Sequence, residues 1–354
     1  MAQHWSEWRP ETLAQLRQGC VIPAMPLALN AAREFDVPRQ RALARYYIDA
    51  GAGGIAAGVH TTQFEIRDVG LYTPVLETVA EAIDEWLDPA QRDGFVKIAG
   101  VVGKTKQALA EADIAHGAGY HAGLLSLAAF KGANENEIIE HCRAIAKRIP
   151  LVGFYLQPSV GGLLLSADFW RQFAEIDNVV AIKMAPFNRY RTLDVLRGVV
   201  MARAEGRISL YTGNDDNIVM DLISPVTIRR NDEDVTLRIV GGLLGHWSVW
   251  VKGAVEVLQH CKSGPLSDEL LVLNGQVTDC NAAFFDVAND FKGCIAGVHE
   301  ILHRQGLLEG IWCLNPDETL SPGQADEIDR VCRDYPHLND DEFVANNLNR
   351  WLTQ

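Results

Sequence analysis

Lys183 closes the run Asn178-Val179-Val180-Ala181-Ile182-Lys183, whose β-prone apolar residues carry no other charge. A segment this apolar reads as a strand buried on both faces, as in a parallel α/β core. Burial disfavours the ammonium form, and a neutral amine condenses with a carbonyl to give a Schiff base. The alternative is a lysine that has just left its strand and snorkels to water. Tyr155 stands 28 residues earlier in Gly153-Phe154-Tyr155-Leu156-Gln157-Pro158. Placed beside the lysine, its hydroxyl would shuttle protons; placed elsewhere, it is a packed aromatic with a satisfied hydroxyl. Upstream, Gly58-Val59-His60-Thr61-Thr62-Gln63 offers two hydroxyls that would bind a carboxylate or cap the next segment. His60 reads as a pocket residue or a cap neighbour, and as a metal ligand only with partners at ligand spacing, which are missing. His246 and Trp247 would line the same pocket or pack within a loop, whereas His116 and His121 flank a glycine turn and read as surface residues.

These residues need a frame that brings strand ends together. Short apolar runs alternate with amphipathic stretches from about residue 19 to 246, the pattern of βα units and a parallel sheet. Strands are predicted near Gly19–Pro26, Gly54–Val59, Phe95–Val102, Tyr120–Leu127, Leu151–Leu156, Val179–Met184, Ile208–Thr212 and Leu237–Leu244. Helices are predicted at Pro38–Ala50, Pro74–Leu87, Lys104–His116, Glu135–Arg148, Ala167–Ile176 and Arg191–Ala204, with Gly51, Gly117, Gly119 and Gly206 as C-terminal caps. Eight βα units predict a (β/α)8 TIM barrel, an α/β fold whose active sites lie at the C-terminal ends of the strands. That places Lys183 and Tyr155 at one mouth. A doubly wound open sheet is the competing arrangement, but Gly100-Val101-Val102-Gly103-Lys104-Thr105 lacks the four-residue spacer of a phosphate loop. Residues 1–18 form an N-terminal segment, 19–250 the barrel and 251–354 a C-terminal helical region. An insertion near 225–236 reads as a hairpin around a solvated acidic turn.

The 354 residues are 48% hydrophobic and 22% charged, an ordinary globular composition. A net charge of −14 without a basic cluster argues against nucleic acid and anionic membrane surfaces as partners. Seven scattered cysteines without a C-x-x-C pair suggest reduced thiols in a cytoplasmic protein. The N-terminus, Met1 to Glu11, lacks the apolar core of a signal peptide, and no apolar window is long enough for a membrane span.

The strand ending in Lys183, the Y-x-x-P tyrosine 28 residues earlier and the Thr61-Thr62 strand end together resemble the dihydrodipicolinate synthase/N-acetylneuraminate lyase family. Gly213-Asn214-Asp215-Asp216 is similar to its S-G-D-D turn, and Gly306-Leu307-Leu308-Glu309-Gly310 with Leu320-Ser321-Pro322 to its C-terminal helices. The resemblance implies a homo-oligomeric (dimer or tetramer), class I lyase, an aldolase or dehydratase with no cofactor and no metal. A 2-oxo acid such as pyruvate, or a sugar-acid derivative, would condense with Lys183, and Tyr155 would relay protons. Thr61, Thr62, His60, Gly213 and His246 would bind substrate. Two departures narrow this. Val160 stands where the synthase branch reads arginine, and Ala128-Ala129-Phe130 where it carries a tyrosine pair. Dihydrodipicolinate synthase activity proper is therefore disfavoured, and an apolar, aromatic or sugar-acid-derived second substrate is expected. A catalytically silent barrel binding a small acid is the reading outside enzymes.

Overall fold

Eight short apolar segments make one parallel sheet: β1 (Val21–Pro23), β2 (Gly54–Ala57), β3 (Val96–Val101), β4 (Ala122–Leu125), β5 (Leu151–Leu156), β6 (Val179–Ala185), β7 (Ser209–Thr212) and β10 (Gly241–Leu244). They follow the order β1-β10-β7-β6-β5-β4-β3-β2, and a parallel bridge between Ala24 and Ala56 brings the two edges together. The result is a TIM barrel, seen here in a computed structural model that describes residues 3–353. The first two residues of the expected N-terminal segment and the last of the C-terminal region lie outside the described residues.

Local chemistry starts the intervening helices where the pattern predicts. Asp36, Asn134, Ser166 and Asn188 each accept a hydrogen bond from an amide in the first turn of the helix that follows, satisfying a donor the helix cannot. Those helices run Val37–Asp49, Glu135–Ala146, Ala167–Ala174 and Arg189–Met201. Gly51 and Gly119 end their helices at positive φ, as glycine C-caps do. Gly206 does not; the left-handed position there falls on Arg203.

Side chains alternate between two cores. Ile22, Ala56, Ile98, Leu124, Phe154 and Leu243 fill the barrel interior, whereas Tyr155, Ile182 and Met184 pack outward against the helices. The helix Pro10–Gln18 closes the N-terminal end of the barrel. Trp8 and Leu16 join the interior cluster, and the Tyr211 hydroxyl donates to the Leu16 carbonyl at 2.9 Å. His121 lies beneath this plug rather than on the surface. Its ring sits 5.5 Å from Trp8, its Nδ1 accepts from the Lys97 amide, and burial pushes its pKa down to about 4.

The predicted hairpin is β8 (Val226–Arg230) and β9 (Glu233–Leu237), antiparallel around Asn231 and Asp232. The turn is solvated, but Arg230 is buried, pairs with Glu233 across the hairpin and anchors it to Glu205 and the Val200 carbonyl. The helix Val251–Ser263 packs on β1, completing the helical ring. Four further helices follow: Asp268–Phe284, Cys294–Arg304, Gln324–Asp334 and Asp341–Thr353. The last lies on Val37–Asp49, where Tyr46 donates to Asp340 and Trp351 to Asp49. No helix among the described residues is long and apolar enough to cross a membrane.

Candidate active site

A cavity of about 110 Å3 opens at the C-terminal ends of the strands, where a barrel presents its loops. Lys183 reaches into it from β6 and is buried, its Nζ 4.6 Å from the centre of the Phe154 ring. Among the described residues it forms no hydrogen bond and no ion pair. Burial lowers its pKa, and the nearby Asp215 carboxylate only partly offsets that. Gly213 makes room for the long side chain. A Cβ at that position would stand 2.5 Å from Lys183 Cε and 2.9 Å from Lys183 Cγ, so only glycine leaves the channel open.

Asp215 is the second ionisable group of the cavity. Burial raises its pKa, while Lys183 and the hydrogen bond from the His246 amide, at 3.0 Å to Oδ1, hold the rise back. Its loop is fixed from behind. Thr212 donates to Asp221 at 2.7 Å, Asn214 donates to Asp221 at 2.9 Å, and Arg189 pairs with the same carboxylate. His60 lines the cavity too; burial and the Lys183 charge push its pKa down to about 4, so its ring is neutral at ordinary pH.

Tyr155 is not at this site. Its ring packs 5.1 Å from Trp170 behind the sheet, and its hydroxyl donates to the Leu165 carbonyl and accepts from the Leu165 amide, both at 3.3 Å. The cause is a register shift between β5 and β6. Leu151 pairs with Val179, an offset of 28 residues, but after the irregularity Val152 pairs with Ala181 and Phe154 with Lys183, an offset of 29. One residue of slip moves a side chain to the other face, so Phe154 occupies the place opposite the lysine.

Three other expectations are also revised. The His246 ring points away from the cavity, packed 5.3 Å from Phe284, and only its backbone amide serves the site. Thr62 is fully buried and donates to the Met25 carbonyl at 2.6 Å, away from the cavity lining. Thr61 does line the cavity, but its hydroxyl donates to the Ala24 carbonyl at 2.6 Å. The paired hydroxyls therefore pin the β2 end to the β1 end. The amides of His60 and Thr61, two residues that line the cavity, donate to no acceptor among the described residues.

The model of the dihydrodipicolinate synthetase family matches residues 17–225, more than half of the chain. The chain belongs to that family. Among curated relatives, N-acetylneuraminate lyase 2 of Escherichia coli is 22% identical over 318 residues, covering 88% of this chain and 92% of that protein. The 4-hydroxy-tetrahydrodipicolinate synthase of Desulforudis audaxviator is 24% identical over 256 residues, covering 71% and 73%. Among solved structures, the dihydrodipicolinate synthase of Acinetobacter baumannii complexed with pyruvate superposes with a TM-score of 0.73 at 19% identity, over 90% of this chain and 99% of that one. The N-acetylneuraminate lyase of Fusobacterium nucleatum gives 0.71 at 15%, over 90% and 99%. At such identities the superpositions speak for the fold alone.

Within this family frame, the residues that line the cavity without having been assigned to the site by the sequence pattern include Asp215, Phe154, Phe187, Phe285, Phe291 and Glu318. Asp215 stands in the Gly213-Asn214-Asp215-Asp216 turn, so a signal for it was present. Glu318 and Phe291 come from the C-terminal region, and nothing in their neighbouring residues points to a barrel mouth. Val160 lines the wall, and no guanidinium among the described residues does.

Proposed function

We propose that this protein is a Schiff-base lyase that acts on a 2-oxo acid such as pyruvate, with the imine on Lys183. The observation that carries the reading is the buried lysine itself, facing the cavity without an ion pair and with its pKa lowered by burial. An amine in that state spends part of its time neutral near physiological pH and attacks the carbonyl at C2. A proton taken up from solvent turns the carbinolamine hydroxyl into water, which leaves, and a protonated imine forms; hydrolysis later returns that proton. The amides of His60 and Thr61 are the donors available to the 2-oxo acid's carboxylate.

With Tyr155 behind the sheet, proton transfer falls to Asp215. A carboxyl whose pKa is raised toward neutrality suits both halves of the task, and His60, held neutral down to about 4, is the weaker base. In the synthetic direction Asp215 takes a proton from C3, and the imine becomes an enamine. C3 then bonds to the carbon of an aldehyde, whose carbonyl electrons move to oxygen and receive that proton back. Water hydrolyses the imine, releasing a 4-hydroxy-2-oxo acid and free Lys183. Cleavage is the same sequence reversed. Val160, in place of a carboxylate-binding arginine, supports an activity other than dihydrodipicolinate synthesis.

Borohydride reduction in the presence of pyruvate, followed by peptide mass spectrometry, tests the reading. The expected result is a reduced adduct on Lys183 that is absent from Lys183→Ala. No adduct across pyruvate and longer 2-oxo acids would refute it.

A further inference from the structure

Part of the cavity wall is aromatic, and the backbone that carries it is costly to build. Phe187 and Phe291 both line the cavity, edge to face with ring centres 6.2 Å apart, and Phe285 adds a third ring. Phe187 sits at φ +49° and Phe291 at φ +65°, in the left-handed region that favours glycine. Two more left-handed residues, Asp286 at +56° and Asp290 at +55°, shape the loop that carries Phe291. Such conformations persist only where surrounding contacts impose them, and here they are imposed. The Phe187 amide donates to Asn214 Oδ1 at 3.0 Å. Asp286 gathers its own loop: its backbone carbonyl accepts from the Phe291 amide at 3.0 Å, and its carboxylate accepts from the Gly293 amide at 2.9 Å and from Asn289 at 2.6 Å. Neither ring is delivered by default packing.

Charge sharpens this. Besides Lys183 and Asp215, the only charged side chain among the described residues that lines the cavity is Glu318, with burial raising its pKa. With no guanidinium among the described residues of the wall, an electrophile bearing a carboxylate would meet the Glu318 carboxylate and no cation beyond the imine on Lys183. A polyol would set those of its hydroxyls that Gln157 and Glu318 do not reach against phenyl rings. A flat apolar body with a hydrogen-bond donor at its far edge meets rings along its faces and an acceptor at its end.

We infer that the second substrate is an uncharged aromatic aldehyde, its ring held by Phe187, Phe285 and Phe291 and a hydroxyl at its far edge held by Glu318. The inference rests on the Schiff-base reading for its chemistry. Enamine C3 bonds to the aldehyde carbon and the aldehyde oxygen gains the proton held by Asp215.

The test has two independent arms. In the first, purified protein, pyruvate and one aldehyde at a time (4-hydroxybenzaldehyde, benzaldehyde, succinic semialdehyde or N-acetylmannosamine) are assayed for adduct formation by mass spectrometry. The expected kcat/KM for 4-hydroxybenzaldehyde exceeds that for the semialdehyde and the sugar by about 100-fold or more, and that for benzaldehyde by about tenfold, a margin that Glu318→Gln removes. In the second, 4-hydroxybenzyl alcohol, which cannot react, is titrated by calorimetry. Binding should weaken by about tenfold in Phe291→Leu and in Phe187→Leu, both checked for unchanged melting temperature. Preference for the semialdehyde or the sugar, with Lys183 still trapped by pyruvate, overturns the inference and spares the Schiff-base reading. Failure of trapping, with 4-hydroxybenzyl alcohol bound and Phe-dependent, overturns the Schiff-base reading and supports the aromatic pocket. No binding of the alcohol by the wild-type protein overturns the inference outright.

Discussion

Tyr155→Phe separates the two roles open to this tyrosine. Its hydroxyl makes two hydrogen bonds to the backbone of Leu165, both 3.3 Å long, and Leu165 is itself buried. Deleting the hydroxyl strands one buried N–H and one buried C=O, each at a cost of about 1 kcal/mol for bonds this long, so roughly 2 kcal/mol is lost in all. The ring and its contact with Trp170 remain. Unfolding entropy for a chain of this size is about 0.7 kcal/mol/K, so the melting temperature should fall by about 3 °C. Loss of a proton relay would act on the rate instead, lowering kcat by about 10²- to 10⁴-fold. Thermal melts give the first quantity. Release of pyruvate from a 4-hydroxy-2-oxo acid, coupled to lactate dehydrogenase, gives the second. The expected variant is less stable and keeps kcat within about twofold of the wild type. A hundredfold loss of kcat at an unchanged melting temperature would refute the placement of Tyr155 behind the sheet.

Gly213→Ala should drive a methyl group into Lys183, costing about 1–3 kcal/mol and abolishing borohydride trapping while the far-ultraviolet circular dichroism stays native; normal trapping would show that the channel is not tight. Asp215→Asn should keep the trapped adduct but slow turnover by about 10²-fold or more, and equal turnover would move the proton-transfer role to another group. Because burial lowers the Lys183 pKa, the pH profile of trapping should inflect below the 10.5 of an exposed lysine; an inflection at or above that value would place the amine in water. His299 is fully buried with its pKa pushed down to about 4 from 6.5, so it stays neutral in the fold and takes up a proton on unfolding between those values. Its contribution is complete above pH 6.5 and fades as pH falls toward 4, by about 2 kcal/mol at pH 5. In urea titrations His299→Gln should therefore lose less stability between pH 7 and pH 5 than the wild type does, and an equal loss would remove His299 from the acid response.

The barrel was legible in the sequence because each of its parts is local. Eight apolar runs alternate with amphipathic ones, and short polar residues cap the helices where the period changes from two to 3.6. Lys183 was legible for the same reason, since one charge at the end of an apolar strand is an anomaly in a single segment. Gly213 was found through the turn it opens, although its physical task, clearing the path of the lysine, appears only with the side chain in place.

Tyr155 shows where that legibility ends. Counting residues from strand to strand assumes an unbroken ladder, and one irregularity after Leu151 turns the offset of 28 into 29 and exchanges Phe154 for Tyr155. His246 fails similarly: its place after the last strand was right, but rotation of the short turn aims its ring at Phe284 and leaves only its amide to the site. Glu318, Phe285 and Phe291 are more than a hundred residues from Lys183 along the chain, and only the packing of the C-terminal region over the mouth makes them neighbours. The sequence by itself determined the barrel, the strand that bears the lysine and the missing arginine at Val160. The tertiary structure alone decided which side chains face that lysine, because facing depends on register and on contacts between distant segments, and neither is written in any one stretch of chain.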